Sequence, residues 1–287
     1  MITKSDLIIP EILLEAIAGE FAGKKALYGS RAVVMNDTLP SVNRGGDKVK
    51  VPYFGTIGEA QFLAEGQALT ISKLVQTSEE AEVIRAGKAF EVTDWARMAG
   101  SSDAYLEAAR QIVEVVERAW DFKLIEKAQE TSLVRDIYDA GTPRKLTLDE
   151  MIRGKLQWGD EQDRIALGII HSQTDADIRL QKDSTGKHLY TDAANDGQLS
   201  RFGGVPMALS DRLTPSSDTP PKYTSLICKE GSLALWHNPI PLIETGRDIL
   251  TGSEVVAVNF YFVAHLYSRK PGTTKPGVVK LVHNAGE

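Results

Sequence analysis

From Ser101 to Ala140 the chain runs without a glycine or a proline. A stretch of that length free of both breakers predicts one long helix. Ser101 or Ser102 can cap it, and Asp103 falls in the first turn, where a negative charge suits the helix dipole. Tyr105, Ala109, Ile112, Val113, Val116, Trp120 and Leu124 recur at three- and four-residue steps, the spacing of one buried face. Glu114 and Arg118 add a favourable pair one turn apart. A helix from Ser102 to about Glu130 would be about 40 Å long at 1.5 Å per residue. That greatly exceeds the mean of about 11–12 residues, so the helix spans most of a domain and acts as its spine. The apolar stripe drifts at 3.6 residues and does not hold four clean heptads, which disfavours a coiled coil.

Just before this helix lies FGTIGEAQFLAEGQALTISKLVQTSEE, Phe54 to Glu80. It is too thinly apolar to build a core and too mixed to be a low-complexity tail. KVKVPYF before it and EEAEVIRAGKAFEVTDWARM after it alternate like strands. Compact domains seldom hold structureless loops above about 12–15 residues unless the loop has a task. The pattern predicts a long two-stranded hairpin. Such a hairpin is marginal alone in water, so it needs something else to lie across.

Ahead of it, IIPEILLEAIAGEFAGKKAL reads as a short terminal helix. Pro10 stands near its start, Ile12, Leu13, Ala16, Ile17 and Phe21 lie on one stripe, Gly23 is a stop, and Lys24 and Lys25 suit the C-terminal end. It can pack on its own domain or on another subunit. Gly45, Gly46 and Asp47 make a turn before the first hairpin strand.

From Leu146 the character changes. Thr147 and Glu150 form a capping box opening a helix through Trp158. RIALGIIHS is continuously apolar, a buried strand, and SQTDADIRLQKD is a short helix. A long polar loop follows, with turns at Asn195–Gly197 and Gly203–Gly204. Then come the strands VPMALSDRL, TSLICKEGSLALWH, PLIETGRD and EVVAVNFYFVAHLYSRKPG. Helices and strands in this order, with strands last, give an α+β chain.

Chemistry is sparse. DSTGKH lacks the first glycine and the Ser or Thr of a phosphate loop, and neither G-x-G-x-x-G nor G-x-S-x-G occurs. His171, Asp175 and Asp177 are the nearest approach to a metal cluster, and aspartates at a helix start are more simply caps. His237 and His265 sit in apolar strands and read as structural. Glu59, Glu65, Glu79 and Glu80 lie on the projecting segment, where no cleft would shift their pKa values. Trp120, Phe122, Phe90 and Trp95 lack the interleaved basic residues of a base-stacking surface. The expectation is no catalytic residue, no cofactor and no metal.

Composition narrows the class further. The net charge of −6 argues against a surface that grips nucleic acid throughout, but not against a protein that encloses it. Cys228 is the one cysteine, so an internal disulfide and a cysteine zinc site are excluded. No apolar run approaches the roughly 18–20 residues of a membrane span. The N-terminus has no cleavage pattern, so synthesis in the cytosol is expected.

In order, these elements resemble the major capsid protein of tailed bacteriophages, the Hong Kong 97-type fold. LIIPEILLEAIAGEF resembles that family's N-terminal arm. GDKVKVPYFGTIGEAQFLAEGQALTISKL, with its AEG turn at Ala64–Gly66, resembles its extended hairpin loop, and the Ser102–Glu130 helix its spine helix. ALGIIHSQTDADIRLQKD, then GVPMALSD from Gly204 to Asp211, resembles its axial domain. SLICKEGSLALWHNPIPLIETGRDIL resembles the strands that follow, with Gly231 to Leu235 as a Gly-x-x-Ala-Leu pattern.

The resemblance implies an N-terminal arm at 1–48, a hairpin loop with flanking strands at 49–93, and a peripheral domain with the spine helix at 94–146. It further implies an axial domain at 147–250 and strands returning to the peripheral domain at 251–287. It implies copies assembling as pentameric and hexameric rings into an icosahedral shell around double-stranded DNA, held without sequence-specific binding and without a membrane. Neighbour contacts are expected from Leu63, Glu65, Gly66, Leu69, Ile71, Lys73, Leu74 and Val75. A charged scaffold segment is missing at the front, which implies a separate scaffolding protein, alongside a portal, or an already trimmed chain; the start at Met1 favours the former. The chain would be made in the bacterial cytoplasm and end in the virion. An encapsulin-type nanocompartment shell is the alternative, and a metal-dependent hydrolase at His171 a distant third.

Overall fold

The structure is a computed structural model that describes residues 25–36, 39, 48–54, 60–63, 66–69, 71–99, 104–162, 164–182, 184–187, 189, 201–238, 242–267 and 276–284. The expected N-terminal helix and the turns at 45–47 and 195–197 lie outside these.

The breaker-free stretch forms α2 (Ala104–Gln129), preceded by a short helix α1 (Asp94–Ala99). DWARM, read from sequence as part of a strand, therefore turns into α1. Asp94 is the reason: its N–H donates to Gly252 O at 2.8 Å and its carboxylate takes Arg247 at 2.6 Å. The inner face of α2 is Trp120, Leu124, Ile125 and Ala128, as the spacing predicts for Trp120 and Leu124. Val113 is a correction, being 60% exposed.

Among the described residues the strands form two large sheets and one two-stranded sheet. The first joins β1 (Val33–Asn36), β10 (Leu233–His237), β12 (Ser253–Leu266) and β11 (Leu242–Asp248), with β4 (Ile84–Thr93) on the other edge of β12. Along its first half β12 alternates, burying Val256, Val258 and Phe260. From Phe262 to Leu266 it is buried throughout, because both of its faces are covered there. Phe262, Ala264 and Leu266 meet α2, while Val263 meets a separate cluster with Val51, Tyr53 and Ala81.

The second sheet has the order β5 (Leu133–Asp136), β13 (Val278–Asn284), β9 (Lys222–Lys229), β6 (Ile165–Ile170), β8 (Val205–Leu209), β7 (Arg201–Phe202). Its strands β6, β9 and β13 bury consecutive apolar residues because it too is covered twice. Ile169, Leu226, Cys228 and Val278 face the α2 core. Ile170, Ile227, Val279 and Leu281 face the core under α3 (Leu148–Lys155) and α4 (Ser172–Arg179). Membership in this sheet crosses the sequence-derived segments: β13, from 251–287, pairs on one side with β5, from 94–146, and on the other with β9.

The capping box at α3 is half formed. Thr147 Oγ1 accepts from the N–H of Glu150 at 3.4 Å, but the Glu150 carboxylate takes Arg135 of β5 at 2.8 and 3.0 Å. After α3 a single 3-10 turn (Leu156–Trp158) buries Trp158, whose indole N–H donates to Pro276 O at 2.9 Å.

One buried charge ties three parts of the chain together. Asp121 of α2 is fully buried. Its Oδ1 accepts from the backbone N–H groups of Ala26 (3.0 Å), Leu27 (2.7 Å) and Tyr28 (3.0 Å). Its Oδ2 lies 3.4 Å from Arg212 Nη1, which also donates to Arg118 O at 2.5 Å.

Burial holds His283 of β13 neutral. Its Nδ1–H donates to Asn284 O at 3.0 Å, so Nε2 accepts from the Ser225 hydroxyl at 2.9 Å. Burial lowers its pKa below the usual 6.5, against a weaker opposing pull from Asp177. The unfolded chain therefore binds the extra proton first as pH falls, and stability present above about pH 6.5 is lost below it. Urea midpoints of the unassembled subunit should fall between pH 7.5 and pH 5.5. The slope contributed by this one histidine is at most about 1.4 kcal/mol per pH unit. His283→Gln should flatten that dependence; an unchanged profile would show that the histidine is not its source.

Candidate functional site

The segment that stood out in the sequence has a rigid base and an uncovered end. β2 (Lys48–Phe54) and β3 (Gln76–Glu82) pair antiparallel, from Lys48 opposite Glu82 to Phe54 opposite Gln76. The period of two decides what is buried: Val51 and Tyr53 point in, while Lys48, Lys50, Pro52 and Phe54 point out. The inward residues, with Ala81, pack on Val263.

A polar clamp fixes this base to β12. The Tyr53 hydroxyl donates to Glu79 Oε2 at 3.1 Å and meets His265 Nε2 at 2.5 Å, leaving the Nε2–H of His265 to donate to the phenol oxygen. Burial first, then the Glu79 charge, pushes the Tyr53 pKa up. Burial draws the His265 pKa down while Glu79 opposes it. His265 thus has a structural place, as its apolar strand suggested. His237 does as well, stacked on Trp120 with ring centroids 4.5 Å apart.

Beyond Phe54 and Gln76 the ladder stops. Among the described residues from 60 to 75 none is in a strand. The expected long hairpin is therefore a short ladder carrying an irregular excursion, a correction with a physical reason. Gln, Gly, Ala and Ser supply six of its thirteen described residues, and they have little cross-strand packing to give. Gly66 takes φ +86° with open space where a Cβ would stand, the left-handed turn that the AEG pattern implies.

Leu63, Leu69, Ile71, Leu74, Val75 and Lys73 are all exposed. Glu59 and Glu65 lie outside the described residues. Sequence reasoning missed Phe62, which is fully exposed. A lone aromatic in a Gly- and Gln-rich stretch was the available signal. Six exposed apolar side chains in one segment, with no covering element among the described residues, are unusual for a monomer surface, where such patches mark contact sites.

Other candidate sites resolve into structure. His171 itself caps α4: its Nδ1 accepts from the N–H of Gln173 at 3.0 Å, the role the sequence had given to the aspartates. Asp175 instead pairs with Arg179 at 2.8 Å and Asp177 with Lys145 at 3.2 Å. Among the described residues no group of three metal-ligating side chains converges. A cleft of about 680 Å³ lies between β3 and the end of α2. Seven of its twelve lining residues are charged, and four of these pair, Lys123 with Glu126 at 2.6 Å and Lys127 with Glu130 at 2.9 Å. That is unlike the largely apolar lining of a small-molecule pocket.

No family model matches the chain. It is 24% identical over 277 residues to the major capsid protein of Staphylococcus phage phiMR11, covering 93% of this chain and 92% of that one. Solved structures share the fold end to end. The capsid of a native GTA particle, computed with C5 symmetry, aligns with a TM-score of 0.73 at 13% identity, over 97% of this chain and 96% of that one. A structure from Gordonia phage Cozz gives 0.69 at 11%, over 98% and 92%. The capsid of Ralstonia phage GP4 gives 0.65 at 9%, over 100% and 98%. The relatives are structural capsid proteins, not enzymes.

Proposed function

We propose, from the premise of a phage major capsid protein, that copies of this chain close into an icosahedral shell enclosing the double-stranded DNA of a tailed phage. The observation that carries this reading is the excursion between Phe54 and Gln76. Its row of exposed apolar side chains stands on a base clamped to β12, so it is presented outward rather than folded away. In the shell it lies over an adjacent subunit, with Phe62, Leu63, Leu69, Ile71, Leu74 and Val75 as contacts.

In this reading α2 is the spine helix of the peripheral part. The second sheet, with α3 and α4, forms the axial part that meets its copies at the centre of rings of five and six. A separate scaffolding protein and a portal complete the assembly, which begins in the host cytoplasm and ends in the virion. The net charge of −6 suits a wall that confines DNA without binding it.

Negative-stain electron microscopy of the protein expressed alone, and then with its scaffold, tests this. Closed shells or rings of five and six are the expected result. Monomers in both trials would overturn it. Shells filled with a protein cargo instead of DNA would move the chain to the nanocompartments.

A further inference from the structure

Among the described residues, side chains alone hold the base of the projecting segment to the body. β2 and β3 pair with each other and with no strand of the two larger sheets. Val83 is the one residue between β3 and β4, and β4 belongs to the sheet of β12. The two-stranded ladder can therefore tilt about Val83 without breaking a strand pairing. Two things resist the tilt. One is the small apolar cluster of Val51, Tyr53 and Ala81 on Val263. The other is the clamp of Tyr53, Glu79 and His265, which takes one side chain from each of β2, β3 and β12.

The clamp holds a group that titrates near neutral pH in a place unsuited to charge. His265 is buried. Tyr53, Tyr267 and Trp236 wall its ring, with centroids 6.2, 5.5 and 6.4 Å away. Burial disfavours the imidazolium most, the Glu79 charge favours it, and Lys127 of α2 opposes it; the sum sets the pKa below the ordinary 6.5. Glu80 and Glu82 of β3, and Lys123, Glu126 and Glu130 of α2, line the same cleft as His265. That cleft gives protons a route to the ring. In the closed clamp Nε2 carries the proton donated to Tyr53, so a second proton goes to Nδ1.

We propose that Tyr53, Glu79 and His265 form a proton-operated latch: neutral His265 holds the ladder against β12, and a second proton on its ring releases the ladder to swing about Val83. The closed state binds that proton less well than the open state, where His265 meets water. The latch therefore keeps its full strength above about pH 6.5 and weakens as pH falls below it, by at most about ten-fold per pH unit for one proton. Release also leaves the ladder unsupported. A lone two-stranded hairpin is marginal in water, so the amides of β2 and β3 lose protection once β12 no longer backs them. The latch is a property of one subunit and does not depend on the shell reading.

Hydrogen exchange of the unassembled subunit, corrected for the intrinsic pH dependence of exchange, tests it. Protection over residues 48–54 and 76–82 should fall by about three- to ten-fold between pH 7.5 and pH 5.5. No fall would overturn the proposal. His265→Gln keeps an Nε2–H donor for the Tyr53 oxygen and takes no proton, so its ladder should be equally protected at both pH values. The same fall in this variant would overturn the proposal. Glu79→Gln still accepts from the Tyr53 hydroxyl and removes the charge that favours the imidazolium. Its fall should be at least as large as in the unsubstituted subunit. A flat profile there would make the carboxylate the titrating group and overturn the latch. His283→Gln should leave the ladder's fall in place. Loss of the fall in that variant would assign it to global unfolding instead.

Discussion

Deleting residues 58–76 leaves a folded, soluble subunit that no longer assembles. None of the described residues removed belongs to any of the three hydrophobic clusters, and the anchors Val51, Tyr53, Ala81 and His265 all remain. The melting temperature should therefore move by no more than a few degrees. Assembly should be lost because burying each exposed Leu, Ile or Phe on a neighbour is worth about 1.5–3 kcal/mol. Losing even two such contacts per subunit raises the concentration needed for assembly by roughly a thousand-fold, at about 1.4 kcal/mol per factor of ten. Phe62→Ser is the milder form: the same melting curve with a clear fall in shell yield. Size-exclusion chromatography and electron microscopy read both. Normal shells from the deletion would remove this segment from the assembly contacts.

Asp121→Ala is the largest expected loss of subunit stability. The carboxylate satisfies three backbone N–H groups at 26–28 and faces Arg212 from a fully buried position. Alanine would strand all of them. Removing one partner from a buried charge network costs about 3–5 kcal/mol. Urea unfolding should show a loss in that range, with residues 25–32 released first from α2. Asp121→Asn should cost less, because an amide oxygen still accepts from those N–H groups. A loss below about 1 kcal/mol for the alanine variant would mean that water or a rearranged backbone replaces the carboxylate.

Some of this was legible before any coordinates. The helix over Ala104–Gln129 could be read because its cause is local: no breaker, capping residues and an apolar period near 3.6. β2, β6 and the first half of β12 could be read from their alternation or their short apolar runs. The uncovered segment was also visible, because a stretch with too few apolar residues to build a core has to stay outside. Its backbone was not. Alternation in the flanking strands implied a continued ladder, but pairing depends on what each residue finds across the strand, and the excursion offers little.

The sequence by itself determined the kind of protein: the α+β class, the long helix, the exposed segment, and the lack of any motif for catalysis. These follow from composition and short-range periodicity, which the chain carries wherever it goes. Tertiary structure alone decided that VVKLVHN lies between β5 and β9, that His171 and not an aspartate caps α4, and that Asp121 ends up buried beneath the backbone of Ala26. It also decided that Ile249 and Leu250 face solvent while Phe260 and Phe262, close by in sequence, face the core. Those outcomes depend on which distant segments become neighbours. Burial of a charge or exposure of a leucine is a property of that neighbourhood, not of the residue.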